Sequence, residues 1–497
     1  MLSRRSFLKA STAAAASVTV NMRVSPVSAQ SRAADEFVDY DALGMADLIK
    51  SGEISAREAV EVTIRRIEAM EPILNFMTTR TYERARDKAN QFPSDSAFAG
   101  VPILIKDMVD VGGVRRTDGA RLLATNVPVA NVDYIDRVEE AGLNIVGLTN
   151  VPELANGFTC NNELFGATLN PWNLDYSPMV SSGGAACAAA AGILPLVHGT
   201  DGAGSNRLPA STCGLFGFKP SRFRNVSGEA DGGHDRTKTN QAMSRTVRDS
   251  ARLADITEDK SGTYYEPMGF VEGPSARRLR IAYVPDAPAG AIFPVDDEVI
   301  KAQAETAALL EEMGHTLVEA EYPVDTQAYT QLYPLFVASR VTPLKAMIES
   351  MTGGPLIESG LLTRFQSGFV DWASRVPAEE SARAEAFIES MPPLFEQAFA
   401  DVDMILAPVM PSAGALNSSF DPNGDFVESE MFAGLRHVMF TGPVNFAGNP
   451  AMSVPLTWDS AAGLPIGSHF IAPIGGDQML YELAYELEEA RPWRDRW

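Results

Sequence analysis

Ser181-Ser182-Gly183-Gly184, then an alanine-rich run over 185–191, then Gly199-Thr200-Asp201-Gly202-Ala203-Gly204-Ser205-Asn206-Arg207-Leu208-Pro209: two clusters of hydroxyls and glycines flank one apolar element. The first cluster predicts a tight turn, because glycine supplies backbone angles and close approaches that larger residues resist. The run that follows predicts a thin buried helix, with Cys187 acting as one more small apolar group. In the second cluster the backbone N–H groups of Gly202, Ala203 and Gly204 precede a serine with almost no side chain to cover them. That is the composition of an oxyanion hole, which makes Ser205 the candidate nucleophile. The competing reading is a glycine-rich loop that merely turns. It is no phosphate cradle of the familiar kinds, since neither Gly-Lys-Ser/Thr nor the third glycine of the dinucleotide pattern follows.

A serine nucleophile needs a base. Of the five histidines, at 198, 234, 315, 437 and 469, none forms a His-Glu-x-x-His pair, and no serine sits in a Gly-x-Ser-x-Gly elbow. His198, seven residues before Ser205, is either a general base or a residue packed at the end of the helical segment. Among nine lysines only Lys106 ends a strongly apolar run, Val101-Pro102-Ile103-Leu104-Ile105. A strand end against the core would lower its pKa, whereas at the ordinary value only about one lysine in 2500 is neutral at pH 7. The alternative for Lys106 is a snorkelling side chain paired with Asp107.

Lys106-Asp107, the 181–184 cluster, the 199–211 segment, Cys213-Gly214-Leu215 and Lys219-Pro220-Ser221 together resemble the amidase signature family. The separations, 75 residues from Lys106 to Ser181 and 24 from there to Ser205, agree with that family. So do Asn170-Pro171-Trp172-Asn173, Asn449-Pro450-Ala451-Met452-Ser453-Val454-Pro455 and Ala490-Arg491-Pro492-Trp493, so the resemblance spans about residues 40–493. It implies an α/β fold with a central mixed, twisted β-sheet covered by helices on both faces. It also implies a Ser-Ser-Lys triad in which Ser205 attacks, Ser181 relays the proton across a cis peptide bond and Lys106 is the final base. Ser182 and Thr200 would support the lysine, and Asp201 with Arg207 would brace the loop as a buried pair. Where the family has glycine before the relay serine this chain has Met179-Val180, which leaves the geometry of the Val180–Ser181 bond open. His198, Ala185 and the 490–493 ending are similar to hydrolases of 6-aminohexanoate cyclic dimers and related small amides or carbamates.

At the N-terminus, Ser3-Arg4-Arg5-Ser6-Phe7-Leu8-Lys9, an alanine-rich stretch and Val27-Ser28-Ala29 read as a twin-arginine export signal over 1–29, leaving a single domain over 30–497. The expected location is the periplasm or the medium. The formal charge of −23 falls to −27 once Arg4, Arg5, Lys9 and Arg23 are gone, a surface that repels nucleic acid and anionic lipid. The longest later apolar run, 185–197, holds Gly192 and Pro195 and is too short to span a bilayer. Cys160, Cys187 and Cys213 are expected as free thiols, because twin-arginine substrates fold in the reducing cytoplasm. No metal-ligand spacing or cofactor motif is present.

From 41 to 90 the pattern is helical, with a Ser55/Glu58 capping box. Helix, glycine and strand recur at 134–148 and 298–318, which predicts a layered α/β fold. A helical, aromatic insert over 324–400, with Tyr329, Tyr333, Phe336, Phe365, Phe369 and Trp372, either walls an acyl pocket or only packs as core. The expected partners are a small-molecule amide and the twin-arginine export machinery, with a homodimer left open. A non-catalytic amide-binding protein on the same fold is the competing class, and retention of Lys106, Ser181 and Ser205 together argues against it. A transamidase subunit acting on aminoacyl-tRNA is disfavoured by the export signal and the charge.

Overall fold

The computed structural model describes residues 37–287, 293–459 and 461–496. Eleven strands are described: β1 (Met77–Arg80), β2 (Pro102–Lys106), β3 (Asn144–Thr149), β4 (Leu196–Asp201), β5 (Phe216–Lys219), β6 (Thr239–Ser244), β7 (Arg280–Tyr283), β8 (Thr316–Glu319), β9 (Met404–Pro408), β10 (Ala451–Trp458) and β11 (Pro465–Ile471). Eight form a mixed sheet in the order β4-β6-β5-β10-β11-β9-β7-β8, antiparallel except for the parallel β9-β7-β8 end. The other three form a small sheet, β1-β3-β2, in which β2 runs parallel to β3. The central strands are buried along their whole length, as expected of strands covered on both faces.

The sheet is covered by helices whose apolar faces the sequence announces. Ser55 and Glu58 form the expected capping box for the helix Ala56–Leu74, and Val60, Ile64 and Ile67 on it are buried. The closing helix Asp477–Ala490 stacks Tyr481 on Phe218, ring centroids 4.1 Å apart. Past its end, Trp493 is buried and donates its indole N–H to the Arg245 carbonyl at 2.8 Å, which fixes the C-terminal Arg-Pro-Trp against the body of the fold.

The thin helix is Gly183–Ala190, and its close approach to β3 is real: a Cβ on Gly184 would stand 2.5 Å from the Asn150 carbonyl oxygen. The three cysteines are buried free thiols. His198 lies inside β4, not at a helix end as the sequence suggested; a strand of six buried residues separates the thin helix from the Gly202–Ser205 loop. The twin-arginine segment lies outside the described residues. No described helix is long and apolar enough to cross a membrane.

Candidate active site

Lys106 is the last residue of β2 and is fully buried, because the apolar run before it carries the chain straight into the interior. Its ammonium nitrogen lies 2.7 Å from Ser181 Oγ, 2.6 Å from Thr200 Oγ1 and 3.3 Å from the Thr200 carbonyl oxygen. Among the described residues no carboxylate pairs with it. Asp107 is taken by Thr117, whose backbone N–H and hydroxyl both donate to it. Burial, with a smaller push from the positive charge of Lys238, lowers the Lys106 pKa to about 7. The lysine is thus half neutral where an ordinary one is almost wholly charged.

Three segments meet at this amine. Ser182 ties the turn to β4, donating to the Thr200 carbonyl at 3.1 Å and accepting from the Thr200 N–H at 3.2 Å. Gly199 permits the approach, since a Cβ there would stand 2.2 Å from Asn206 Oδ1 and 2.8 Å from Ser182 Oγ. The described chain contains no cis peptide bond, so the geometry implied at Ser181 by resemblance is not the one seen. The backbone instead enters the serine with Met179 at φ 69° and Val180 at φ 27°, on the left-handed side that glycine adopts most readily.

Beyond β4 the chain turns sharply through Gly202-Ala203-Gly204 to Ser205. Asp201 organises the turn from below: it accepts the Gly204 N–H at 2.7 Å, the Asn206 N–H at 3.2 Å and two guanidinium N–H groups of Arg207 at 2.9 and 3.0 Å. Burial alone would raise this carboxyl, but Arg207 outweighs it and holds Asp201 well below the usual carboxylate range. Arg207 in turn donates to the Thr441 carbonyl, Asn445 Oδ1 and His469 Nε2, at 3.0, 2.6 and 2.9 Å. Asn445 closes the circle by donating to the Asp201 backbone and side chain.

One expected oxyanion donor is therefore committed. The Gly204 N–H points at Asp201, whereas the N–H groups of Gly202, Ala203 and Ser205 have no hydrogen-bond partner among the described residues. Ser205 is partly exposed and its hydroxyl is likewise unpartnered. The residues that sequence reasoning missed are Asn206, Thr441, Asn445 and His469. The last three lie more than 230 residues from Arg207, and no spacing rule links them to it.

His198 is fully buried one strand over. Its Nδ1 accepts the Lys106 backbone N–H at 3.3 Å, which leaves Nε2 to donate to Asn240 Oδ1 at 3.2 Å. Both ring nitrogens are occupied, and burial pulls the pKa down to about 3. His198→Gln is expected to leave the pH profile of turnover unchanged and kcat within roughly tenfold. It should lower Tm, because an unsatisfied buried N–H on Lys106 costs about 1–3 kcal/mol. Rates across pH together with thermal melts check this; a loss equal to that of removing the lysine, with folding intact, would make the histidine the base.

A cavity of about 270 Å³ opens beside Gly202. The helix Thr326–Thr352 contributes Tyr333, Phe336 and Arg340 to its wall, and Phe446 and Arg236 face them. Of the other aromatic residues of the insert, Tyr329 stacks on Tyr333, ring centroids 5.3 Å apart, while Phe365 and Phe369 cluster with Met431 and Phe426. A larger cavity, about 1000 Å³, lies away from the lysine between residues 38–53, 245–248 and 488–494. Among the described residues no group of three or more His, Cys, Asp or Glu is placed to hold a metal ion.

The family model described as Amidase matches residues 58–481. The 6-aminohexanoate-cyclic-dimer hydrolase of Paenarthrobacter ureafaciens is 32% identical over 492 residues, covering 91% of this chain and 95% of that one. The putative amidase AmiC of Mycobacterium tuberculosis (strain ATCC 25618 / H37Rv) is 32% identical over 467 residues, covering 92% and 96%. Among solved structures, 6-aminohexanoate cyclic dimer hydrolase complexed with substrate matches with a TM-score of 0.83 at 29% identity, covering 93% of this chain and 98% of that one. A bacterial aryl acylamidase of the amidase signature enzymes family matches with a TM-score of 0.81 at 25% identity, covering 92% and 97%.

Proposed function

The chain belongs to the amidase family, a hydrolase of carbon–nitrogen bonds in non-peptide amides, and from that premise we propose that it works through an acyl-enzyme on Ser205. The observation that carries this reading is the buried amine of Lys106, 2.7 Å from Ser181 Oγ and 2.6 Å from the hydroxyl of Thr200, on the strand that leads into the 202–205 turn. Ser205 Oγ attacks the substrate carbonyl while its proton passes to Ser181 Oγ and the Ser181 proton passes to Lys106. The carbonyl oxygen, now carrying the charge, accepts from the free N–H groups of Gly202, Ala203 and Ser205. When the tetrahedral adduct collapses, the C–N bond breaks and Lys106 returns the proton through Ser181 to the departing nitrogen. A water then attacks the ester carbonyl by the same relay, releasing the acid and restoring Ser205. Thr200 and Ser182 hold the amine and the turn, and Asp201 with Arg207 holds the loop.

The substrate is a small-molecule amide, linear or cyclic, whose apolar part lies in the cavity between Tyr333, Phe336 and Phe446. The relatives that hydrolyse 6-aminohexanoate cyclic dimer support this size class. Trapping tests the acyl-enzyme directly: hydroxylamine added during turnover should divert the acyl group into a hydroxamate, and its absence at full turnover would exclude the covalent route.

The same proposal includes export as a folded enzyme, with residues 1–29 as a twin-arginine signal and one catalytic domain after it. Changing Arg4 and Arg5 together to lysine should leave active enzyme in the cytoplasm, because every group of the relay lies beyond residue 100. Fractionation with an amide assay checks this; activity that appears only after oxidation, with a bridge among Cys160, Cys187 and Cys213, would overturn it.

A further inference from the structure

The cavity beside Gly202 is lined by the aromatic and apolar side chains of Tyr333, Phe336, Val337 and Phe446 and by the charged ones of Asp235, Arg236 and Arg340. Asp235 has one oxygen engaged: Oδ1 accepts the Thr237 N–H, the Thr237 hydroxyl and the Lys238 N–H at 2.7 to 2.8 Å. The two basic members are Arg340 and Arg236. Arg340 lies one helical turn after Phe336 and rests its guanidinium over that ring, 3.5 Å from the centroid. Both hydrogen bonds that it makes among the described residues leave from Nη1 and are long, 3.4 Å to the Phe336 carbonyl and 3.4 Å to Glu385. The N–H donors on Nε and Nη2 are open, held in a plane by the aromatic face beneath them.

Arg236 stands beside it, paired with Glu389 at 2.9 and 3.4 Å across an exposed surface where such pairs are weak. Neither Glu385 nor Glu389 lines the cavity that holds Gly202; both line the adjoining small cavity. In that adjoining cavity Arg222 adds a third guanidinium. Its Nη2 is bound to the carbonyls of Asn445 and Phe446, and its Nε is buried with no partner. A chain with an excess of 23 negative charges thus gathers three arginines around these two adjoining cavities, and the glutamates paired with two of them line only the cavity without Gly202.

We propose that the cleft selects amides that carry a carboxylate several bonds from the scissile carbonyl, with Arg340 and Arg236 as the residues that bind it. The inference rests on the proposed Ser205 site and narrows its substrate class. A planar carboxylate matches the open edge of the Arg340 fork, and the aromatic walls between fit a chain of methylenes. Displacing the long contact to Glu385 and the exposed pair with Glu389 costs little, because those carboxylates are already half in water.

Two matched pairs test this. On the acyl side, the p-nitroanilide of hexanoic acid is compared with the mono-p-nitroanilide of adipic acid; on the amine side, N-acetylhexylamine is compared with N-acetyl-6-aminohexanoate. In at least one pair the carboxylate member should have kcat/KM higher by about tenfold or more, through KM, and the advantage should shrink as salt is raised. Arg340→Gln should reduce that ratio to near one, Arg340→Lys should keep part of it, and Arg340→Glu should turn the preference toward an ω-amino substrate. Ratios near one for the wild-type chain in both pairs, or equal loss for both members in Arg340→Gln, would overturn the proposal. Calorimetric binding of the same pairs to Ser205→Ala reads the preference without turnover. A site lacking the proposed nucleophile would show there as retained activity, while failed carboxylate recognition would show as equal affinities.

Discussion

Ser205→Ala will bind substrate and fail to turn it over, with kcat lower by on the order of 10⁴-fold or more, the scale of removing a nucleophile whose partners act as a unit. The substitution removes one partly exposed hydroxyl that no described residue engages, so the Asp201–Arg207 brace and the stability of the fold should stay as they are. A fluorophosphonate should label the wild-type chain once, on the peptide containing Ser205, and should not label the variant. Ser181→Ala should be strongly slowed as well, because the amine then loses the hydroxyl proposed to relay the proton and keeps only that of Thr200. A label mapped to Ser182, or a fully active Ser205→Ala protein, would sink the assignment.

Lys106→Ala should lose most of the rate and, with it, the pH dependence of what remains. In the proposed relay the neutral amine is the working form, so activity on a non-ionising amide should rise with pH through about 7. The sign for stability runs the same way. Between about pH 7 and the ordinary lysine range the unfolded chain holds a proton that the folded chain has released, so stability rises with pH across that window. Below about 7 both states are protonated, and the full cost of a buried ammonium is carried. Lys219, also fully buried and lowered to about 7 chiefly by burial, follows the same course, and among the described residues it has only the Pro220 carbonyl as partner. Lys106→Ala should therefore flatten the activity profile completely and the stability profile only in part. Denaturant titrations from pH 6 to 10 beside steady-state kinetics separate the two; an activity profile in Lys106→Ala that still rises through 7 would assign the base elsewhere.

The lysine, the two serines and the small-residue loop were legible because each is a local feature: an apolar run that ends in one charge, and clusters too small to shield their own backbone. The strand Leu196–Asp201 was not, since half of it is polar and reads as loop. Its hydroxyl, carboxylate and imidazole are buried only because Lys106, Arg207 and Asn240 arrive from elsewhere to pair with them. The commitment of the Gly204 N–H to Asp201 was hidden for a similar reason: glycine composition tells how many donors are uncovered, not where each one points. That Lys106 sits on a separate three-stranded sheet also escaped the pattern, because an apolar run of five residues looks alike in either sheet. The arginines of the cleft sit in one loop and one helix, and only the packing of that helix across Phe446 brings them to the same opening.

The brace on Arg207 bears on how the molecule is made. A ribosome that has synthesised the first 219 residues has already produced Lys106, Ser181 and Ser205, yet Thr441, Asn445 and His469 are still unwritten. At about 5–20 residues per second, the nascent chain waits roughly 12–50 s before all three exist. Through that interval Asp201 and Arg207 have each other but lack the partners that complete the brace. If the proposed mechanism holds, the chain carries its lysine and both serines well before the loop of Ser205 is fully held, and activity waits on the last third of the chain.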